Sequence, residues 1–241
     1  MMENRWLKID DHNIHYVEMG NNFPLLLLHG GSNDWHEWEK NIVALAHCYR
    51  VIAPDMVGFG NSDRKKGVYS IDDFVHFLSH FVSALNINHM HMIGHSLGGR
   101  IALEFAYRYP NKVAKLIPVA PYGLGSLSFW GYVLAITFYW GRKLFFRKQP
   151  FPTLDLDDSR NGVDEFISKL KKVEAPVMII WGKRDLYVPV KQAYIANGAF
   201  PNSRLVVIPR CGHAPQREYC DFFNKQALDF LSGDTDCYID S

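Results

Sequence analysis

Three polar residues could together perform acyl transfer: Ser96, His213 and Asp185. Ser96 lies in Gly94-His95-Ser96-Leu97-Gly98-Gly99, with a glycine two places to either side of it. An apolar run, 89–93, precedes this stretch, and an apolar-periodic segment, 100–109, follows it. Strand, sharp turn and helix form the setting in which a serine is held strained with its hydroxyl exposed. The glycines let the helix crowd against that turn. A serine hydroxyl is a poor nucleophile until a base removes its proton. His213, in Cys211-Gly212-His213-Ala214-Pro215, follows an apolar run ending at Pro209, so a strand end would carry it to the same sheet edge. Asp185, in Trp181-Gly182-Lys183-Arg184-Asp185, follows a further apolar run, 175–181, and would fix the tautomer of the imidazole.

Singly, each has an ordinary reading: a small-residue turn, a solvated loop histidine, a turn-capping aspartate. At three strand ends, in the order Ser96, Asp185, His213, they match one of the chain orders of the Ser-His-acid triad. A tetrahedral intermediate also needs donors for its oxyanion. Leu97, directly after the nucleophile, supplies one backbone N–H. The second is expected from His29-Gly30-Gly31, where glycine allows close approach to a substrate, and Gly31 is the residue chosen. Its plainer reading is a tight strand-to-helix turn. This chemistry needs no cofactor and no metal.

The elements that must position these groups alternate along the chain. Residues 5–19 read as two short strands of an edge hairpin. Continuous apolar runs at 24–29, 50–55, 89–93, 113–120, 175–181 and 204–209 suit strands buried on both faces of a parallel sheet. Between them, helical patterning covers 38–47, 71–85, 102–109, 163–172, 191–199 and 219–231. In 71–85 the stripe is Phe74, Phe77, Leu78, Phe81, Val82 and Leu85. This alternation predicts an α/β fold with a mostly parallel sheet in a single domain, 1–241.

Residues 121–160 break the alternation. No charged residue occurs between Lys115 and Arg142, and 128–140 is strongly apolar and aromatic. Glycine and serine interrupt the run, and strands of one sheet flank it, so a helical lid is the better reading than a membrane span. Phe129, Trp130, Tyr139 and Trp140 are then candidate pocket residues. The lid could also touch a lipid surface near Arg142, Lys143, Arg147 and Lys148.

At 241 residues, 48% hydrophobic and 21% charged, the chain can bury a sizeable core, and a net charge of +1 with interleaved signs argues against a nucleic-acid partner. The first ten residues lack an apolar signal core, and Cys48, Cys211, Cys220 and Cys237 lack metal-ligand spacing. A cytoplasmic protein with reduced thiols is the expectation. His76 and His80 have i, i+4 spacing without the glutamate of H-E-x-x-H, and read as a solvated helix face. His89, His91 and His95 read as structural, with His95 in a packing role. Gly58-Phe59-Gly60-Asn61-Ser62 lacks the third spaced glycine of a dinucleotide fingerprint.

Over nearly its whole length the chain resembles the α/β-hydrolase superfamily. The resemblance rests on His29-Gly30-Gly31, on Asp55, Gly58, Gly60 and Ser62, on 94–99, on Trp181, Gly182 and Asp185, and on Gly212 and His213. It implies an eight-stranded sheet with an antiparallel second strand, flanked by helices, and a cap inserted after strand six. In that family the matched positions serve as oxyanion loop, structural turn, nucleophile elbow, acid and base. The 212–218 end is similar to small-molecule esterases and to carbon–carbon bond hydrolases of aromatic degradation. A serine nucleophile disfavours the dehalogenase and epoxide-hydrolase branches, which use aspartate, and the cap is shorter than in most capped relatives. The resulting expectation is a serine hydrolase acting on a small, mostly apolar ester or thioester. The alternatives are a carbon–carbon bond hydrolase of meta-cleavage type, a perhydrolase, and a ligand-binding protein that retains the triad without turnover.

Overall fold

The computed structural model describes residues 1–64, 67–146, 152–155 and 160–232. Its strands are β1 (Glu3–Ile9), β2 (His12–Met19), β3 (Pro24–Leu28), β4 (Arg50–Pro54), β5 (Val68–Ser70), β6 (Met90–His95), β7 (Val113–Val119), β8 (Thr153–Asp155), β9 (Val177–Gly182) and β10 (Ser203–Ile208). The helices are α1 (Glu39–Leu45), α2 (Ile71–Ala84), α3 (Leu97–Arg108), α4 (Phe129–Phe146), α5 (Arg160–Leu170), α6 (Lys191–Ala199), α7 (Pro215–Glu218) and α8 (Cys220–Leu231). Eight strands form one sheet in the order β1-β2-β4-β3-β6-β7-β9-β10. β2 runs antiparallel to both β1 and β4, and the remaining pairs are parallel. This is the α/β sheet with an antiparallel second strand that the sequence resemblance implies.

The uninterrupted apolar runs follow from burial on both faces. Alternate side chains of one strand enter separate cores: Leu26 and Leu28 of β3 pack on one side, Leu25 and Leu27 on the other. β9 divides in the same way, with Ile179 and Trp181 opposite Met178 and Ile180. Phe74, Phe81, Phe105 and Phe166 from α2, α3 and α5 fill the first core, whereas Trp38, Phe223 and Leu228 close the second. α2 is started by a capping box, in which Ser70 Oγ accepts from Asp73 N–H and the Asp73 carboxylate accepts from Ser70 N–H.

Three features depart from the sequence reading. The helix expected over 38–47 is split into a 3₁₀ turn, Trp35–Trp38, and α1, because Asp34 caps the turn early through His36 N–H. β5 and β8 pair in parallel as a separate two-stranded ribbon, a contact that no local pattern announces because both strands are only three residues long. Cys48 is disulfide-bonded, against the expectation of reduced thiols throughout; Cys211 and Cys220 are free. Among the described residues no helix is long and apolar enough to cross a membrane.

Candidate active site

β6 ends at His95, and α3 begins at Leu97, leaving Ser96 alone in the turn with φ 51° and ψ −112°. A left-handed φ is costly for a residue with a Cβ, so the surroundings must enforce it. Gly94 and Gly98 make that possible. A Cβ on Gly94 would sit 2.4 Å from the Gly98 carbonyl oxygen, and one on Gly98 would sit 2.4 Å from that of Leu28. Strand, turn and helix are thus packed backbone against backbone, and Ser96 N–H donates to the Val119 carbonyl of β7 at 2.9 Å.

Asp185 and His213 arrive from the ends of β9 and β10. Asp185 Oδ2 accepts from His213 Nδ1 at 2.7 Å, while Oδ1 accepts from Tyr187 and Val188 N–H, each at 2.8 Å. With the aspartate held by two backbone donors, the bond to Nδ1 leaves Nε2 as the nitrogen free to take a proton. The loop carrying His213 is itself clamped. Glu218 of α7 accepts from Gly212 N–H at 2.8 Å and from Ala214 N–H at 3.2 Å, on both sides of the histidine. Gly182 is required here, since a Cβ would fall 1.9 Å from the Gly212 carbonyl oxygen. His213 is joined to the elbow through His95, whose Nε2 donates to the His213 carbonyl at 2.8 Å.

Leu97, as the first residue of α3, has a backbone N–H with no acceptor within its own helix. Gly31 lies against it: a Cβ on Gly31 would meet Leu97 Cδ2 at 3.3 Å. Gly30 N–H is already committed to Glu37 Oε2 at 2.6 Å, and Gly31 is the glycine of this loop that lies beside Leu97. His29 serves the loop from beneath. Its Nδ1 faces the Gly30 carbonyl at 2.8 Å and its Nε2 accepts from Met56 N–H at 3.0 Å, so it carries one proton. Burial pushes its pKa down, in keeping with a neutral ring. Asp55 holds the neighbouring turn: it accepts from Trp35 N–H, Asn61 N–H and His15, and a Cβ on Gly60 would strike its carboxyl at 2.3 Å.

A model of the alpha/beta hydrolase fold matches residues 24–166 and 157–218. The chain belongs to the α/β-hydrolase family. Among similar proteins, a 2-hydroxy-6-oxo-6-phenylhexa-2,4-dienoate hydrolase from Burkholderia cepacia is 30% identical over 91% of this chain and 91% of its own length. The structure of a meta-cleavage product hydrolase from Pseudomonas fluorescens superposes with a TM-score of 0.79 at 26% identity, covering 95% of this chain and 97% of that one. A carboxylesterase from Bacillus subtilis is alike in fold, with a TM-score of 0.81 at 20% identity over 97% of this chain and 92% of that one.

In this α/β-hydrolase the aromatic cap residues are exposed. Phe129, Trp130 and Trp140 are 73%, 59% and 52% exposed on α4, and the side chain of Tyr139 lies outside the described residues. The start of α4 is anchored. Ser128 N–H donates to the Tyr187 carbonyl, Ser128 Oγ bonds the Leu186 carbonyl, and Gly131 is pressed against Tyr187, fixing the first turn on the acid loop. Leu134 and Ile136 beyond that turn are also exposed. Nearer the site are Leu154 of β8, 3.9 Å from the Cβ position of Gly31, and Tyr187, whose ring centroid is 5.1 Å from that of His213. Sequence reasoning missed Glu37, Gln216 and Glu218, whose polar atoms meet the site from other elements. Glu218 had one available signal, its position five residues after His213.

Proposed function

We propose that this α/β-hydrolase cleaves a small, mostly apolar ester or thioester through an acyl-enzyme on Ser96. The observation that carries the reading is Ser96 held at φ 51° at the end of β6, beside a histidine loop whose Nδ1 is occupied by Asp185. Ser96 Oγ adds to the carbonyl carbon while its proton passes to His213 Nε2. The new oxyanion is met by the Leu97 and Gly31 N–H groups. Collapse expels the alcohol or thiol, which takes the proton from His213. A water, activated by the same imidazole, then hydrolyses the acyl-enzyme and restores Ser96. Asp185 holds the tautomer and stabilises the transient imidazolium.

A second reading is favoured by the relatives in sequence. The Burkholderia cepacia protein is named for hydrolysis of a 2-hydroxy-6-oxo-dienoate, a carbon–carbon cleavage, and matches at 30% identity across nearly the whole chain. The same serine, base and oxyanion donors would serve there, with a carbanion-equivalent leaving group in place of an alkoxide. The readings separate in one assay: kcat/KM on a p-nitrophenyl ester series against kcat/KM on 2-hydroxy-6-oxo-6-phenylhexa-2,4-dienoate, each with Ser96→Ala as control. The ester reading predicts the higher value on short-chain esters. A dienoate value above every ester would transfer the assignment to carbon–carbon cleavage, and turnover surviving in Ser96→Ala would reject both.

A further inference from the structure

Behind the site lies a carboxylate–imidazole pair that the acyl-transfer chemistry does not use. Glu37 and His95 have side chains 0% and 4% exposed, with Glu37 Oε1 in contact with His95 Nδ1. Glu37 belongs to the 3₁₀ turn after β3, and His95 is the last residue of β6, directly before the nucleophile. Each remaining polar atom of the pair reaches a different part of the site. Glu37 Oε2 accepts from Gly30 N–H at 2.6 Å, in the oxyanion loop. Glu37 Oε1 also accepts from Gln216 Nε2 at 2.7 Å, three residues after the catalytic base. His95 Nε2 donates to the His213 carbonyl at 2.8 Å.

The protonation state follows from the partners. A carbonyl only accepts, so His95 Nε2 carries a proton. Three donors converge on the Glu37 carboxyl, which favours its ionised form and leaves the shared proton on His95 Nδ1. Burial on its own would push Glu37 up and His95 down. The partners override it, holding Glu37 down at about 2 and raising His95. A carboxylate and an imidazolium are thus enclosed together as an ion pair.

We propose that Glu37 and His95 are positioning residues that fix the oxyanion loop, the nucleophile elbow and the base loop as one unit. This rests on Ser96 and His213 acting as nucleophile and base. Glu37 occupies the Gly30 N–H and so turns the next peptide, that of Gly31, toward Leu97. His95 sets the height of His213 above Ser96 by holding its carbonyl. Neither touches the substrate.

The test uses full-length Glu37→Ala, Glu37→Gln and His95→Gln, assayed for kcat and KM on p-nitrophenyl butyrate, the rate of Ser96 labelling by a fluorophosphonate, and Tm. Misplacing reacting groups by about 1 Å costs on the order of 100-fold, and that is the expected fall in kcat for Glu37→Ala. Labelling slows in step, and KM stays within about 3-fold because binding contacts are intact. Glu37→Gln keeps an acceptor for Gly30 N–H and is expected to recover to about 10-fold below wild type. If Glu37→Ala does not fold, Glu37→Gln and His95→Gln decide the matter. Folded variants with kcat and labelling within 2-fold of wild type would overturn the positioning role. A wild-type enzyme whose Ser96 fails to label would instead refute the underlying reading, so the two failures are distinct.

A separate cluster involves none of these residues. Asp10, at φ 51° in the β1–β2 turn, meets His76 and His80 of α2, with one ligand atom from each within 4.8 Å of the others. His80 Nδ1 is 3.3 Å from Asp10 Oδ1, and the two imidazole centroids are 4.1 Å apart. We infer that these three residues bind a zinc-like divalent transition metal. Two imidazoles one helical turn apart with a carboxylate suit zinc, nickel or copper rather than calcium or magnesium. Such an ion would join the edge hairpin to α2. Titration of metal-stripped protein with zinc chloride is expected to show one saturable site and a higher Tm. His76→Ala and His80→Ala should each weaken binding at least about 10-fold. No saturable binding, or binding undiminished in both variants, would overturn the site.

Discussion

The loops around Ser96 and the helix α4 are built in opposite ways. At the elbow, backbone meets backbone at distances no Cβ could enter, and side chains from other elements tie the loops together: Glu37 holds Gly30, His95 holds the His213 carbonyl, Glu218 holds Gly212 and Asp185 holds His213. In α4 the first turn is hydrogen-bonded to the acid loop, while Phe129, Trp130, Leu134, Ile136 and Trp140 face outward. Chemistry that needs sub-ångström placement sits on the first kind of structure. The difference teaches that the site loops are held by close backbone packing, whereas α4 is held to the acid loop by hydrogen bonds at its first turn.

The comparison breaks first at the nucleophile. Ser96→Ala should cut ester turnover by about 10⁴-fold or more while leaving the fold in place, read by steady-state kinetics and circular dichroism. Asp185→Asn should lower kcat by roughly 10³- to 10⁴-fold, because the amide selects the wrong histidine tautomer. Gly98→Ala attacks the packing instead. Its methyl would lie 2.4 Å from the Leu28 carbonyl oxygen, and a loss of about 3 kcal/mol or more is expected, a fall in Tm of roughly 6–12 °C by calorimetry.

Acidity probes the buried pair. Glu37 is held at about 2 against its ordinary 4.5, so its contribution to stability is complete above pH 4.5 and fades as pH falls toward 2. His95 is raised above its ordinary 6.5, so its contribution is complete below pH 6.5 and fades as pH rises through the raised value. The Tm difference between wild type and Glu37→Gln should therefore peak between about pH 4.5 and 6.5 and shrink on both sides; a difference flat from pH 3 to 9 would contradict the ion pair. The smallest effect is expected in the cap. Trp130→Ser, at an exposed position, should move stability by no more than about 0.5 kcal/mol and short-ester turnover by less than about 3-fold.

Much of this contrast was legible in the sequence, though unevenly. The strands were readable because both faces are buried, giving runs such as Leu25, Leu26, Leu27 and Leu28, and the elbow because its glycines are spaced by a backbone requirement. The turn at Asp55, Gly58 and Gly60 was equally readable, since the carboxyl and the missing Cβ explain each other. Glu37 was not. It lies 58 residues from His95 and 179 from Gln216, so only the sheet order brings them together. His95 carried an expectation of simple packing and proves to be the donor that supports His213. The orientation of the cap was not readable for another reason: a helix apolar on every side does not declare which face is turned inward, and the anchor at Ser128 and Gly131 is set by the distant acid loop.

Intact-mass analysis after fluorophosphonate treatment tests the central claim most directly. One adduct, mapped to Ser96 and absent in Ser96→Ala and in heat-unfolded protein, is the predicted result. A native protein that remains unmodified, or that is modified at another serine, would contradict the assignment of Ser96 as an activated nucleophile.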